Sequence, residues 1–349
     1  MRKLLAVFLL MAAVLPIQAG FGFNSGSQDQ KETYRRLRAI GYSVPPIAGK
    51  WFFVNPNDSN DNASGISPEE AVSNICSAYV KCTSGAGDGI IVLSHGTALS
   101  QTNNRLVHGI AWSKHGITVV GACSPGRYGK RSRIGSGAGL GGDTLMHLIT
   151  VTGNNNAFFN LLFINEGDST TASGCVSVTG VQNHFENCEF SNVGAAATAD
   201  TLVHSLEINT GNCNTFVRCC VGNDTKDRSS AALTAELWIV GACGKNVFEN
   251  CYFSMLTNDD DHGLVKIIGT TSLGGSLIFD NCKFWNWYAN ADLQTLTTVF
   301  IGADPNTGIV VMHNCSIAGW ADVAPDAFNC VVTNLPAANA AGGISVVGE

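Results

Sequence analysis

The sequence predicts an all-β fold: a single-stranded right-handed parallel β-helix, a solenoid, with a short N-terminal capping helix. A phrase of the form F-x-N-C-x-F returns along the 349-residue chain, as "NHFENCEF" at 183–190, "NVFENCYF" at 246–253 and "LIFDNCKF" at 277–284. Degraded copies stand at 156–163, 214–221 and 310–317, so the copies begin at Asn156, Asn183, Asn214, Asn246, Leu277 and Val310. Their spacings of 27 to 33 residues belong to solenoids and arrays. Each copy follows a second strand-like phrase ending near a glycine, such as "LITVTG" (148–153), "CVSVTG" (175–180) or "SLEINTG" (205–211). One repeat therefore carries at least two short strands. Apolar residues alternate or cluster in fives with Gly, Asn and Thr between them, which excludes the paired amphipathic helices of ankyrin-type repeats.

Taken in order, residues 1–19 have the form of a signal segment: Arg2 and Lys3 precede the run "LLAVFLLMAAVL", and cleavage is expected after Ala19. Residues 20–50 form an N-terminal arm in which "DQKETYRRLRAIG" (29–41) reads as a short helix. The β-helix is assigned to 51–335. Within it, "SPEEAVSNICSAYVKC" (67–82) carries Ser67 as N-cap, Pro68 at the first helical position and Glu70 three residues on, a capping box. That helix would cover the open end of the first coil. "DGIIVL" (88–93) and "GITVVGA" (116–122) give the first coils, and 336–349 is a Gly/Ala-rich tail.

In the repeated phrase Phe248, Cys251 and Phe253 face inward, so strict alternation breaks at Asn250. A corner there suits asparagine, the residue besides glycine that best tolerates the left-handed conformation. Asn187, Asn250, Asn281 and Asn314 would form one ladder, which Arg218 interrupts. Cys188, Cys219, Cys251, Cys282 and Cys315 share the next inward position. The 13 cysteines show no C-x-x-C pair and no Cys/His spacing of the zinc type, and are read as stacked core thiols, with Cys213 and the adjacent Cys219 and Cys220 the places for an isolated bridge.

A net charge of −7 argues against a nucleic-acid partner. The local exception is "GRYGKRSRIG" (126–135), where Arg127, Lys130, Arg131 and Arg133 form either a solvated loop or a contact for an anionic sugar or partner. Beyond the N-terminus no segment approaches 18 apolar residues, so no membrane span is expected in the mature chain.

The order "NPNDSNDNASGISPEEAVSNI", "GDGIIVLSHGT", "HGITVVGA", then F-x-N-C-x-F coils resembles the pectin-lyase-like β-helix superfamily over residues 51 to 335. In style it is closest to virion structural and tail-spike-type proteins of phages. The resemblance implies the fold and leaves the activity open, because lyases, hydrolases, adhesins and inert virion components share it. A lyase of this type would need an acidic cluster for calcium and an Arg or Lys base. A hydrolase would need paired aspartates with Gly-His-Gly and Arg-x-Lys segments, which are not matched. "NDDDHG" (258–263) offers Asp259, Asp260 and Asp261 as calcium ligands and, with His262, as catalytic groups, or else a solvated turn. His204 and Glu207, or Asp224 and Asp227, would line a groove, or else are single polar residues of the coil loops with no further role. Trp285 and Trp287 alternate, so at least one should face outward, to stack on a sugar, the alternative being burial in the core or in a subunit interface.

The sequence expectation is a non-enzymatic structural or binding protein outside the cytoplasm, secreted or on a virion surface as a capsid decoration, fibre or spike. The alternative is an extracellular polysaccharide lyase or glycoside hydrolase acting on acidic glycans. No cofactor is required by the first reading, and calcium is the one the acidic run would take. Expected partners are further copies of the chain, a trimer among the arrangements, other virion proteins, or a surface polysaccharide.

Overall fold

The computed structural model describes residues 47–57, 62–93, 105–106, 109–123, 131–136, 146–167, 174–194, 203–228, 234–258, 262–268, 273–287, 298–302, 308–320, 323 and 330–333. The signal-like segment, the arm and the C-terminal tail lie outside the described residues. The chain divides at Pro46, and the unit described is the one that begins at Ile47. Among the described residues, strands pair in parallel in three sheets of ten, seven and eight strands, with a single helix, giving an all-β parallel solenoid.

One coil shows how the repeat is used. Ala157–Phe159, the first half of the repeated phrase, lies in the ten-stranded sheet. A corner at Asn160 leads to Leu161–Asn165 in the eight-stranded sheet. The second type of phrase supplies Val176–Val178 in the seven-stranded sheet, and the next coil opens with His184–Glu186. Register is fixed by side chains that would be exposed by a one-residue slip. Phe158, Phe185, Phe216, Phe248 and Phe279 pair in sequence across the ten-stranded sheet. Their rings stack with centroids 4.5–5.1 Å apart, the rise from strand to strand. A second set from the eight-stranded sheet, including Phe253 and Phe284, meets that column edge-on.

The corner after the ten-stranded sheet is left-handed at Asn160, Asn187, Asn250, Asn281 and Asn314, with φ of 50–55°. Arg218 takes the same conformation at φ 52° and reaches Glu186 instead of a neighbouring amide. Behind the corner, Cys188, Cys219, Cys251, Cys282 and Cys315 are buried, and each thiol donates to the carbonyl of the Phe one coil back, at 3.3–3.4 Å. All 13 cysteines are free thiols. Burial pushes the Cys188 and Cys251 thiols up, away from the reactive thiolate.

A second asparagine ladder closes the opposite corner. Asn156, Asn183, Asn214 and Asn246 are buried, and each accepts through Oδ1 a backbone N–H at 2.9 Å: from Ile117, Asn156, Asn183 and Asn214 in turn. These turn residues thus supply the acceptors that buried backbone groups need.

The helix spans Ile75–Lys81, shorter than the sequence suggests, with Asn74 as its N-cap. Ser67 instead holds a turn, accepting from the N–H of Glu70 at its carbonyl and its hydroxyl. The reason is Val72, whose parallel bridge to Val54 keeps the chain extended until Asn74. Ile75, Ala78 and Tyr79 bury against the first strands, and Lys114 Nζ donates to the carbonyls of Tyr79, Val80 and Cys82 at 2.6–2.9 Å, neutralising the helix C-terminus.

Candidate functional site

The residues singled out in the sequence fall in different places. Asp259, Asp260, Asp261, Arg127 and Lys130 lie outside the described residues. His262 is fully buried at the head of Gly263–Ile268 in the seven-stranded sheet. Arg131 is buried and ion-paired with Glu189, and Arg133 is paired with Glu166. Both guanidinium charges are therefore neutralised within the fold. Trp285 meets Tyr252 and Trp287 edge-on at 5.4 Å, and Trp287 is 39% exposed, so an aromatic patch lies outside the eight-stranded sheet. Nothing among the described residues joins these groups into one catalytic arrangement.

The seven-stranded sheet does bring a row of polar and aromatic side chains together. Its strands bury Leu206 and Ile208, Leu237 and Ile239, and Val265 and Ile267, so the residues between them face outward. Register then sets Ser177, Glu207, Trp238 and Lys266 side by side on four neighbouring strands. Just before the paired residues Ile149, Val176 and Leu206 stand His147, Gly174 and His204. Gly174 is the middle member of this trio. A Cβ there would lie 2.4 Å from His204 Nε2 and 2.8 Å from His147 Nε2. The missing side chain is thus the space into which two histidines, from strands that are not neighbours, lean until they touch.

They touch at their Nε2 atoms, 2.8 Å apart. Glu207 Oε2 completes a triangle, 3.1 Å from His147 Nε2 and 3.5 Å from His204 Nε2. The other oxygen, Oε1, accepts from Asn209 Nδ2 at 2.8 Å, which turns Oε2 toward the histidines. Trp238 stacks on the His204 ring at 4.6 Å, and Lys266 Nζ lies 4.9 Å from the Trp238 ring. His204, Glu207 and Trp238 are buried, the His147 side chain is only 8% exposed, and Lys266 is half-buried, so the arrangement opens mainly at its Lys266 end.

The electrostatics separate the two charged members. Burial alone would raise the Glu207 carboxyl, but the hydrogen bond and charge of His147, with the charge of His204, outweigh it and hold the group at about 2. Glu207 is therefore an anion at neutral pH, suited to binding a cation and unsuited to donating a proton. Lys266 is pushed below the ordinary lysine range by burial, which raises the share of neutral amine available as a base. Two imidazole nitrogens and one carboxylate oxygen converging within 4.8 Å also form a group able to hold a metal ion.

Sequence reasoning noted His204 and Glu207 as isolated polar residues and missed His147, Trp238 and Lys266. A signal was present. Aligned by strand, "HLITV", "GCVSV" and "HSLEI" put His147, Gly174 and His204 in one column.

No family model matches the chain, and no curated protein matches it. Solved structures do. The chain is similar to pectate lyase Pel9A at 18% identity and a TM-score of 0.51, over 79% of this chain and 64% of the lyase, so it spans less than two thirds of that enzyme. Against pectin methylesterase PemA from Erwinia chrysanthemi the identity is 12% and the TM-score 0.54, over 83% of this chain and 89% of that one. Against the pectin methylesterase from Aspergillus niger in deglycosylated form the values are 15% and 0.50, over 83% and 84%. At these identities the likeness establishes a pectin-lyase-like β-helix fold, and nothing in it points to a phage.

Proposed function

We propose that the protein acts outside the cytoplasm on an acidic polysaccharide, as a lyase whose base is Lys266 on the outward face of the seven-stranded sheet. The observation that carries this reading is Lys266 itself: a half-buried lysine with a lowered pKa, one strand from Trp238 and two from Glu207. The fold held in common with a pectate lyase and pectin methylesterases supports the substrate class, and the signal-like N-terminus supports the location. No helix among the described residues is long and apolar enough to cross a membrane.

In the elimination, the neutral amine of Lys266 takes the proton from the carbon next to a uronate carboxyl group. The electron pair of that C–H bond forms a carbon–carbon double bond, and the glycosidic oxygen on the adjoining carbon leaves with the electron pair of its broken C–O bond and takes a proton from water. Hydrolysis is less well served. It needs a protonated carboxylic acid facing a second carboxylate, whereas Glu207 is held ionised and Glu236 is buried in an ion pair with Arg228.

The test is a panel of acidic polysaccharides with and without calcium, the ion that Asp259, Asp260 and Asp261 would take, followed by the ultraviolet absorbance of the unsaturated product. Wild type should release product, and Lys266→Met should lower the rate about 10²–10⁴-fold with an unchanged circular dichroism spectrum. No release by wild type on any substrate would overturn the proposal and favour the non-enzymatic scaffold, whose surface would then be the aromatic patch at Trp285 and Trp287.

A further inference from the structure

We infer that His147, His204 and Glu207 bind one divalent transition-metal ion of the zinc class. The inference does not rest on the lyase reading, because metal affinity is measured without turnover. It starts from proton counting. Two imidazole Nε2 atoms 2.8 Å apart attract each other only if one carries a hydrogen and the other a lone pair. Yet both also face Glu207 Oε2, at 3.1 and 3.5 Å. A single N–H cannot serve both neighbours well, and two N–H groups would repel across the short contact. A cation at the centre of the triangle satisfies all three atoms at once.

The dimensions agree. Zinc bonds of about 2.0–2.1 Å in tetrahedral geometry set ligand atoms about 3.3 Å apart, and the three separations here run from 2.8 to 3.5 Å. The donor types select among metals: imidazole nitrogen with one carboxylate suits zinc and its first-row neighbours, whereas calcium and magnesium prefer all-oxygen sites. Supporting residues hold the ligands in place. Asn209 fixes the carboxylate, Trp238 fixes the His204 ring, and Gly174 leaves room for both rings. Three protein ligands leave a fourth position, for water or for an anionic group of a ligand.

The experiment uses the full chain stripped with a chelator and titrated with zinc by calorimetry, then with cobalt(II) followed by absorption spectroscopy. Wild type should bind one equivalent, with a cobalt spectrum lacking the intense thiolate band that the cysteines would produce. His147→Ala and His204→Ala should each weaken binding at least 100-fold, and Asn209→Ala about 10-fold. Gly174→Ala should abolish binding by displacing both rings. Lys266→Met should bind zinc as wild type does, so that loss of lyase activity and loss of the metal site are told apart. Circular dichroism confirms that each variant is folded, and Glu207→Gln, which preserves shape, replaces any that is not. No stoichiometric zinc binding by folded wild type, or binding that survives the His147→Ala/His204→Ala double substitution, would overturn the inference.

Discussion

Two asparagine columns hold the coils at their corners, and they do so by different physics. At Asn250, with φ 55°, the side chain is tolerated in a left-handed turn. At Asn214 the amide is consumed: Oδ1 accepts from the backbone of Asn183, and Nδ2 donates to the Gly180 carbonyl at 3.1 Å. Asn214→Ala leaves both buried partners unsatisfied and should cost about 1–3 kcal/mol for each group left without a bond, seen as a lower urea midpoint. Asn250→Gly should cost no more than about 0.5–1.5 kcal/mol, the worth of the exposed bond that Asn281 Nδ2 donates to Asn250 Oδ1, since glycine adopts the same φ freely. The first column was legible because Asn250 breaks the alternation of its strand. The second was not, because a buried asparagine and a solvated turn asparagine look alike in sequence. His147 escaped for a related reason: 57 residues separate it from His204, and the residue that lets them meet is a glycine.

At the scale of elements, each column of aromatic rings ties several coils together. Phe216 stacks on Phe185 at 4.9 Å and on Phe248 at 4.5 Å, so its loss opens a cavity between two coils. Phe216→Ala should destabilise by about 3–5 kcal/mol, measured by equilibrium unfolding. A buried ion pair ties Arg228, just past the strand Cys220–Asp227, to the seven-stranded sheet: Arg228 Nε donates to Glu236 Oε1 at 3.0 Å, and Ser205 donates to Glu236 Oε2. Removing one partner strands the other charge, and Arg228→Met should cost about 3–5 kcal/mol. A result below 1 kcal/mol would show that water reaches this corner. The helix was legible in kind, through the apolar spacing of Ile75 and Tyr79. Its start was not, because the bridge between Val72 and Val54 joins residues brought together only by the first coil.

For the whole molecule, the period of the repeat carried the solenoid, since inward residues must match from coil to coil. Outward residues obey no such constraint. The row of Ser177, Glu207, Trp238 and Lys266 therefore has no signature until register is known. Its chemistry does have a pH signature. Burial lowers the Lys266 pKa below its ordinary 10.5, so the neutral base is already present at lower pH. Turnover should rise with pH and level off below 10.5, and a rate falling across that range would remove Lys266 as the base. On the proposed reading, this face of the seven-stranded sheet receives an acidic glycan. It is tested most directly by a crystal structure of the Lys266→Met protein soaked with acidic oligosaccharides. The expected result is a chain lying across Glu207, Trp238 and residue 266, with a uronate carboxyl group near the former lysine. An oligosaccharide bound only at Trp285 and Trp287, with the seven-stranded face bare, would contradict it.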